Sequence, residues 1–460
     1  MARIHTLREK PWPVEDEGLN WQGRAIAVFS YVFLFLCMVF PMVSKLAFVK
    51  ASLLGTLLAL IVIEYFINGR PRLSVSVALW TLGLFAVSCF FVMEGMLKGT
   101  PGAAAVTTVY IFWPLAFTLW LAGISQRRFL AGVQWTAIVA TLFIGIYGCL
   151  YLLTQLNILP ETDLVSSLSF GWEAEGFGAH EGFTQMQFPG LNSLPFLIPF
   201  LLAWVSTQPS GERRSPVRQI CLWAACILGL IVTIAGTRRA LTLVVCLSPC
   251  LTLFFRSFQP ETEKRLNKRS FLVFAGIFLA GTLLVFLGLN SIYQFNVAAM
   301  WDYFVTGFDF SSQTPDEGAG PRHEQFIALV KGWLDHPFLG AGHGASAYGS
   351  IRSQTMPWSY ELSYVALLFQ VGIVGVTAYA AGVCWIFWQG IKLVKAGGQV
   401  GRIMIPMLVG LSGALIAHAT NPYLNRFDGM WMLFLPLAVV NYRLSASGGM
   451  YATRIPFPAT

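Results

Sequence analysis

Two adjacent arginines, Arg238 and Arg239, stand in the run IVTIAGTRRALTLVV between two apolar stretches. A guanidinium presents a planar fork that matches phosphate oxygens in bidentate geometry, and it stays charged. Charge beside a bilayer core is costly, so such a pair needs water or an anion. A solvated turn and a buried anion site are both open here. The tight confinement between two helices favours the anion site. Further along, GPRHEQFIALVKGWLDHPFLGAGHGASAYGS gathers Arg322, His323, Glu324, Lys331, His336 and His343. The same stretch runs on to PWSYELSYVALLF, where Glu361 stands at the threshold of another apolar run. A carboxylate in that place can orient or deprotonate a hydroxyl. Cations that hold an anionic leaving group and a carboxylate that activates a hydroxyl are the two halves of a group transfer.

Other chemistries find less support. His323, His336, His343 and His418 show no regular metal-ligand spacing, and there is no HExxH, no Cys/His cluster and no Asp-x-Asp pair. No cofactor or metal is expected, and the histidines read as loop hydrogen-bonders. PFLGAGHG is a Pro-then-Gly-rich turn that lets backbone approach a ligand or another helix, but taken alone an ordinary tight loop is the better explanation, because Gly-x-Gly is weak evidence. Arg352 and Arg426 are further accessory candidates. Arg426 sits in the polar turn AHATNPYLNRFDGM, where a local Arg426–Asp428 pair that caps the turn is the simpler reading. Trp172, Trp301, Trp333, Trp358 and Tyr360 serve as sugar-stacking surfaces or as interfacial anchors.

These residues have to be positioned by membrane helices. The chain of 460 residues is 56% hydrophobic and only 11% charged, where a soluble domain carries about a quarter charged residues. Apolar runs of roughly 20 residues recur along nearly its whole length. Twelve spans are predicted, over 25–43, 46–67, 75–93, 103–123, 130–153, 191–207, 219–235, 240–256, 270–289, 363–389, 403–420 and 427–443. The tenth is long enough to start as an interfacial helix. Residues 1–24 mix both signs of charge and do not resemble a cleavable signal peptide. The eight cysteines all fall inside predicted spans, as small apolar fillers, so no disulfide is expected in exported loops.

Loop charge sets the orientation. With the N-terminus inside, most of the 30 basic residues face the cytoplasm, among them Arg70, Arg72, Arg127, Arg128, Arg213, Arg214, Arg218, Lys392, Lys395 and Arg402. Arg238, Arg239, Arg322, Lys331, Arg352 and Arg426 are exceptions on the outer side, and Lys45, Lys50 and Lys98 are ordinary ones. The expected organisation is a cytoplasmic segment 1–24, nine spans in 25–289 with an acidic outer loop 154–190, a large outer loop 290–362, three spans in 363–443 and a cytoplasmic tail 444–460. The fold class is therefore an all-α polytopic membrane protein with both termini cytoplasmic and one large, partly helical periplasmic loop. HEQFIALVKGWLDHP within that loop reads as a short amphipathic helix. The positive net charge of +8 belongs to the inner face and requires no nucleic acid.

The layout and two local patterns resemble the O-antigen ligase and Wzy-type polysaccharide polymerase superfamily. GTRRALTL looks like the family's Ser-Arg-Gly-Ala-type motif, with Arg238 at the arginine position and Arg239 where a small residue is usual. PRHEQFIALVKGWLDHPFLGAGHG looks like the loop pattern of an arginine opening a helix followed by His-Pro-x-x-Gly-x-Gly, which puts Arg322 at the arginine position. The family's His-Asn, about eleven residues before Gly-x-x-Gly, is replaced here by Glu361–Leu362. The resemblance implies a metal-independent, inverting GT-C-type glycosyltransferase at the periplasmic face of a bacterial inner membrane. Its donor would be a glycan on undecaprenyl diphosphate. Arg238, Arg239 and Arg322 would bind the diphosphate, and Glu361 would serve the acceptor hydroxyl, with His323 or Glu324 as alternates. A polymerase transfers to another repeat unit of O-antigen or exopolysaccharide, and a ligase to lipid A–core of lipopolysaccharide. The missing histidine favours the polymerase. A chain-length regulator is a further possible partner. The rival from another class is a transporter of lipid-linked oligosaccharide, which usually shows interrupted helices, paired halves and charge near the midplane.

Overall fold

A computed structural model of the chain describes residues 21–68, 73–155, 158–160, 176–180, 183–207, 215–236, 238–261, 319–349 and 353–452. Among these, ten helices are long and apolar enough to cross a membrane, and the chain is a multi-pass membrane protein. The helices are α1 (Trp21–Val39), α2 (Ser44–Asn68), α3 (Val75–Leu97), α4 (Ala103–Thr107), α5 (Trp113–Ile124), α6 (Arg127–Gln155), α7 (Leu194–Thr207), α8 (Pro216–Ala235) and α9 (Arg239–Arg256). After them come α10 (Ala319–Asp335), α11 (Ser363–Ala396), α12 (Gly398–His418) and α13 (Trp431–Ala452). The expected ninth span, 270–289, and much of both outer loops lie outside the described residues.

The bundle is built around α7, which packs against α12, α9 and α8. Its Phe196, Leu197, Phe200 and Leu201 are fully enclosed, and Phe196 meets the indole of Trp431 edge-on at 5.0 Å. Pro199, Pro249, Pro406 and Pro436 lie inside helices. Packed neighbours and local adjustment tolerate such prolines in membrane helices.

The loops sort to two ends of the bundle. At one end Asn441 accepts from Ser74 N (2.8 Å) and donates to Ser125 Oγ (2.8 Å), and Arg256 reaches Ser206 O. At the other end Gly102 N donates to Gly344 O (3.0 Å) and Met42 N to Asp428 Oδ2 (2.8 Å). The second end carries every described site candidate.

Three elements differ from expectation. The acidic loop, for which the sequence suggested no element, contains a two-stranded antiparallel hairpin, β1 (Gly176–His180) and β2 (Phe183–Gln187). The first span ends at Val39 rather than 43, because Pro41 follows and Met42 turns the chain with φ +67°. The last span begins at Trp431 rather than 427, since Phe427–Gly429 forms a 3-10 turn that holds Asp428 inward.

The long α11 is two helices joined at Gly372, which has φ 60° and ψ −171°. A break in a membrane helix frees backbone groups that must be satisfied by protein. Here residues 337–342 satisfy them. Ile373 N and Val374 N donate to Pro337 O (3.0 Å) and Phe338 O (3.1 Å), while Phe369 O and Gln370 O accept from Ala341 N (2.9 Å) and Gly342 N (2.8 Å). The segment PFLGAGHG is thus stitched into the helix it precedes. Gly340, Gly342 and Gly344 all have positive φ, and a Cβ on Gly342 would lie 2.6 Å from Gly95 Cα. A Cβ on Gly344 would strike the backbone of Gly102 and Ala103. Gly344→Ala is therefore expected to cost more than about 1 kcal/mol. It should lower the unfolding temperature of the purified protein, whereas Gly349→Ala, with positive φ but open space around it, lowers it less.

Candidate functional site

Arg322 lies in the first turn of α10, and Glu361 stands two residues before α11. Packing of α10 on the N-terminal part of α11 brings them together. Leu329 of α10 is enclosed with Tyr360, Ala366 and Phe369, and Gly332 lets the ring of Phe369 approach. Arg322 Nε then meets Glu361 Oε2 at 2.5 Å. The pair is partly open, with 34% of the arginine side chain and 17% of the glutamate exposed. Buried Gln325, one turn on, accepts from Glu361 N (2.9 Å) and Leu362 N (3.1 Å). That amide takes the place of a side-chain cap for α11 and fixes the backbone that carries the carboxylate.

The second arginine group is held differently. Arg238 precedes α9, and its Nη1 donates to Asn192 Oδ1 at 2.8 Å. Asn192 Nδ2 lies 3.0 Å from Met42 Sδ. Met42 N in turn donates to Asp428, whose Oδ2 also takes Lys50 Nζ at 2.6 Å. Lys50 donates further to Phe40 O at 2.9 Å, and both charged groups are buried. Three turns at one end of the bundle, at residues 40–42, 192 and 428, are tied to Arg238 in this way. Arg239 opens α9 beside it and is half-buried.

Arg238 and Arg322 share one end of the bundle without direct contact. The last turn of α12 lies between them. Its Ala417 packs with Val244 of α9, and Leu415 O accepts from Tyr364 of α11 at 2.7 Å, three residues past Glu361. His418 meets the Tyr364 ring edge-on at 5.4 Å.

The remaining candidates divide. His323, Glu324 and Lys331 are exposed on α10, and Arg426 is half-buried in its turn. Arg352 lies outside the described residues. His343 is fully buried and belongs to the scaffold. Its ring stacks on Tyr110 at 3.9 Å, its Nε2 is 3.1 Å from Tyr379 Oη and its Nδ1 is 3.4 Å from Gln370 Oε1. Tyr110 sits in a π-helical turn, Thr108–Phe112, that interrupts the fourth span. The glycine-rich turn approaches helices, which decides between the two uses that its sequence allows.

Burial lowers the His343 imidazole from its ordinary value to about 4, against a smaller opposing contribution from Gln370. Between about 6.5 and that value the unfolded chain binds the extra proton. The stability owed to neutral His343 is complete above the upper limit and is lost as pH falls through the window. The unfolding temperature should therefore drop with pH there, and His343→Gln should flatten the drop.

Four residues escaped the sequence reading. Lys50 reads as an ordinary exception to the charge bias, and Asp428 as half of a turn pair with Arg426. Asn192 and Gln325 carry no signal in type or spacing. Only Lys50, a cation just inside an apolar run, carries a readable hint, because such a cation needs a partner. No protein-family model matches the chain, and no curated protein matches it.

Proposed function

We propose that this protein is a membrane glycosyltransferase that moves a glycan from undecaprenyl diphosphate to an acceptor hydroxyl at the periplasmic face of the bacterial inner membrane. The proposed reaction is polymerisation of surface-polysaccharide repeat units. One observation carries the reading: Arg322 on α10 and Glu361 just before α11, 39 residues apart, form a partly open ion pair at the end of a multi-span bundle. An incoming diphosphate competes with Glu361 for the Arg322 fork, since a charged bidentate contact to phosphate is strong. The released carboxylate accepts the acceptor hydroxyl's proton. The acceptor oxygen bonds to the anomeric carbon as the carbon–oxygen bond to the diphosphate breaks, and the diphosphate leaves with the electron pair. Attack opposite the leaving group inverts the centre. Arg238, held by Asn192, and Arg239 supply further positive charge at the same end.

The interrupted helix α11 would suit a transporter. Its break falls at the tenth of 34 residues, but the 337–342 loop satisfies the freed backbone groups. That favours a fixed scaffold over a mid-membrane ion site.

Two measurements test the proposal. Glu361→Gln should lower the rate by about 10²-fold or more if the carboxylate is the base. Full activity across pH would remove that role. The glycan profile of a deletion strain separates the acceptors. Single lipid-linked repeats, or lipopolysaccharide capped with one repeat, are expected for a polymerase. Long chains left on undecaprenyl diphosphate would mean the ligase, with lipid A–core as acceptor. Unchanged surface polysaccharides would defeat the transferase reading.

A further inference from the structure

Helix α10 presents three sectors. One is turned to the protein: Gln325 and Leu329 are buried, and Gly332 faces the ring of Phe369. A second is charged and wet, with Glu324, Lys331 and Asp335 exposed at spacings of seven and four. The third is apolar and uncovered. Phe326, Ile327 and Leu334 are 47%, 53% and 63% exposed, and Val330 lies between them at helical spacing. A helix lying on a protein in bulk water has no use for a third, apolar sector. A helix in the boundary of a bilayer, with protein beside it, requires all three.

The apolar sector continues into the bundle's own outer surface. Phe338 and Leu339, just past the helix, are 69% and 41% exposed. The carbonyls of Pro337 and Phe338 bind the amides of Ile373 and Val374, and those two side chains are exposed on the apolar α11 span. On the other flank Gly340 O accepts from Lys98 at 2.9 Å, beside exposed Met96 and Leu97 at the end of α3. The same Lys98 amine is paired with Glu94 at 2.8 Å, so its charge is neutralised beside these apolar neighbours. The uncovered surface is therefore one band running from α3 through the 338–339 turn to α11, with α10 above it.

We infer that α10 lies in the outer-leaflet boundary of the bilayer, with Phe326, Ile327, Leu334 and Phe338 immersed among acyl chains and Glu324, Lys331 and Asp335 in water. The occupant of this surface is the lipid itself. The inference is independent of the transferase reading. It sets the depth of Arg322, in the first turn of α10, at the level of lipid headgroups.

The test uses the full chain in phosphatidylethanolamine–phosphatidylglycerol vesicles. Nitroxide labels are placed one at a time by Leu334→Cys, Phe338→Cys, Lys331→Cys and Tyr348→Cys, with the signal of the labelled unaltered protein subtracted. Collision rates are then read with oxygen, which concentrates in lipid, and with a water-soluble nickel chelate. Labels at 334 and 338 should favour oxygen several-fold over the label at 331 and over the fully exposed position 348. Equal access to the nickel chelate at all four would overturn the inference. Shielding of 334 and 338 from both reagents would overturn it too, because a protein would then cover the face. Should a cysteine variant fail to insert, Phe326→Cys and Ile327→Cys probe the same sector.

Discussion

Arg322→Ala is expected to abolish glycan transfer while leaving the protein inserted and abundant. Arg322 contacts a carboxylate and remains a third exposed, so a ligand can reach it. Removing a preorganised group that stabilises a leaving oxygen typically costs about 10²–10³-fold in rate. Arg322→Lys tests the geometry. Lysine keeps the charge but offers a point donor in place of a fork, so the variant should stay well below the wild-type rate. A fold effect has a separate signature. Arg322→Ala leaves Gln325 and Leu329 in place, so α10 remains docked and the unfolding temperature should move little. Normal glycan from the alanine variant would remove Arg322 from the mechanism, and a large fall in unfolding temperature would assign it to structure. The readouts are product from undecaprenyl-diphosphate glycan in proteoliposomes and thermal unfolding of the same preparation.

Lys50→Met should be the most destabilising single change at the same end of the bundle. It leaves the buried Asp428 carboxylate with Met42 N and without its cation, and breaking a buried pair from one side costs about 3–5 kcal/mol. The double variant Lys50→Met/Asp428→Asn removes both charges and keeps an oxygen for Met42 N. Most of the loss should then return, because the cost lies in the uncompensated charge rather than in the missing contact. Equal damage in single and double variants would contradict that account. The same experiment has a functional arm. Met42 holds a left-handed backbone, a conformation that costs about 1–3 kcal/mol and persists only when its surroundings enforce it. Its amide is held by Asp428 and its sulfur touches Asn192, which holds Arg238. Loosening Asp428 should therefore weaken donor binding more than turnover in whatever protein remains folded.

Much of the architecture was legible before any contact was known. Runs of about 20 apolar residues announce spans, because a helix of that length meets the bilayer's thickness and satisfies its own backbone. The short amphipathic helix read over 323–337, found at Ala319–Asp335, the long tenth span and the threshold position of Glu361 follow from local spacing. The ends of spans did not. The first stops at Val39 before Pro41, with the turn at Met42 held by Asp428, and the last starts at Trp431, after the 3-10 turn that holds Asp428 towards Lys50. Hydropathy carries no information on such pairings. The interruption of α11 at Gly372 was equally hidden, since any glycine fits a membrane helix. It is the approach of 337–342 that makes a break tolerable there.

The division has a physical cause. Solvent preference is a property of each residue and its near neighbours, so by itself the amino-acid order determined a multi-pass helical membrane protein, a short amphipathic loop helix, and arginines and a carboxylate in segments that the structure gathers at one end of the bundle. Partnership depends on where distant segments arrive. Tertiary packing alone decided that Arg322 faces Glu361, that Gln325 holds the backbone between Glu361 and Leu362, and that His343 is a sealed part of the scaffold. It also decided that Lys50 and Asp428, 378 residues apart, neutralise each other beneath Arg238.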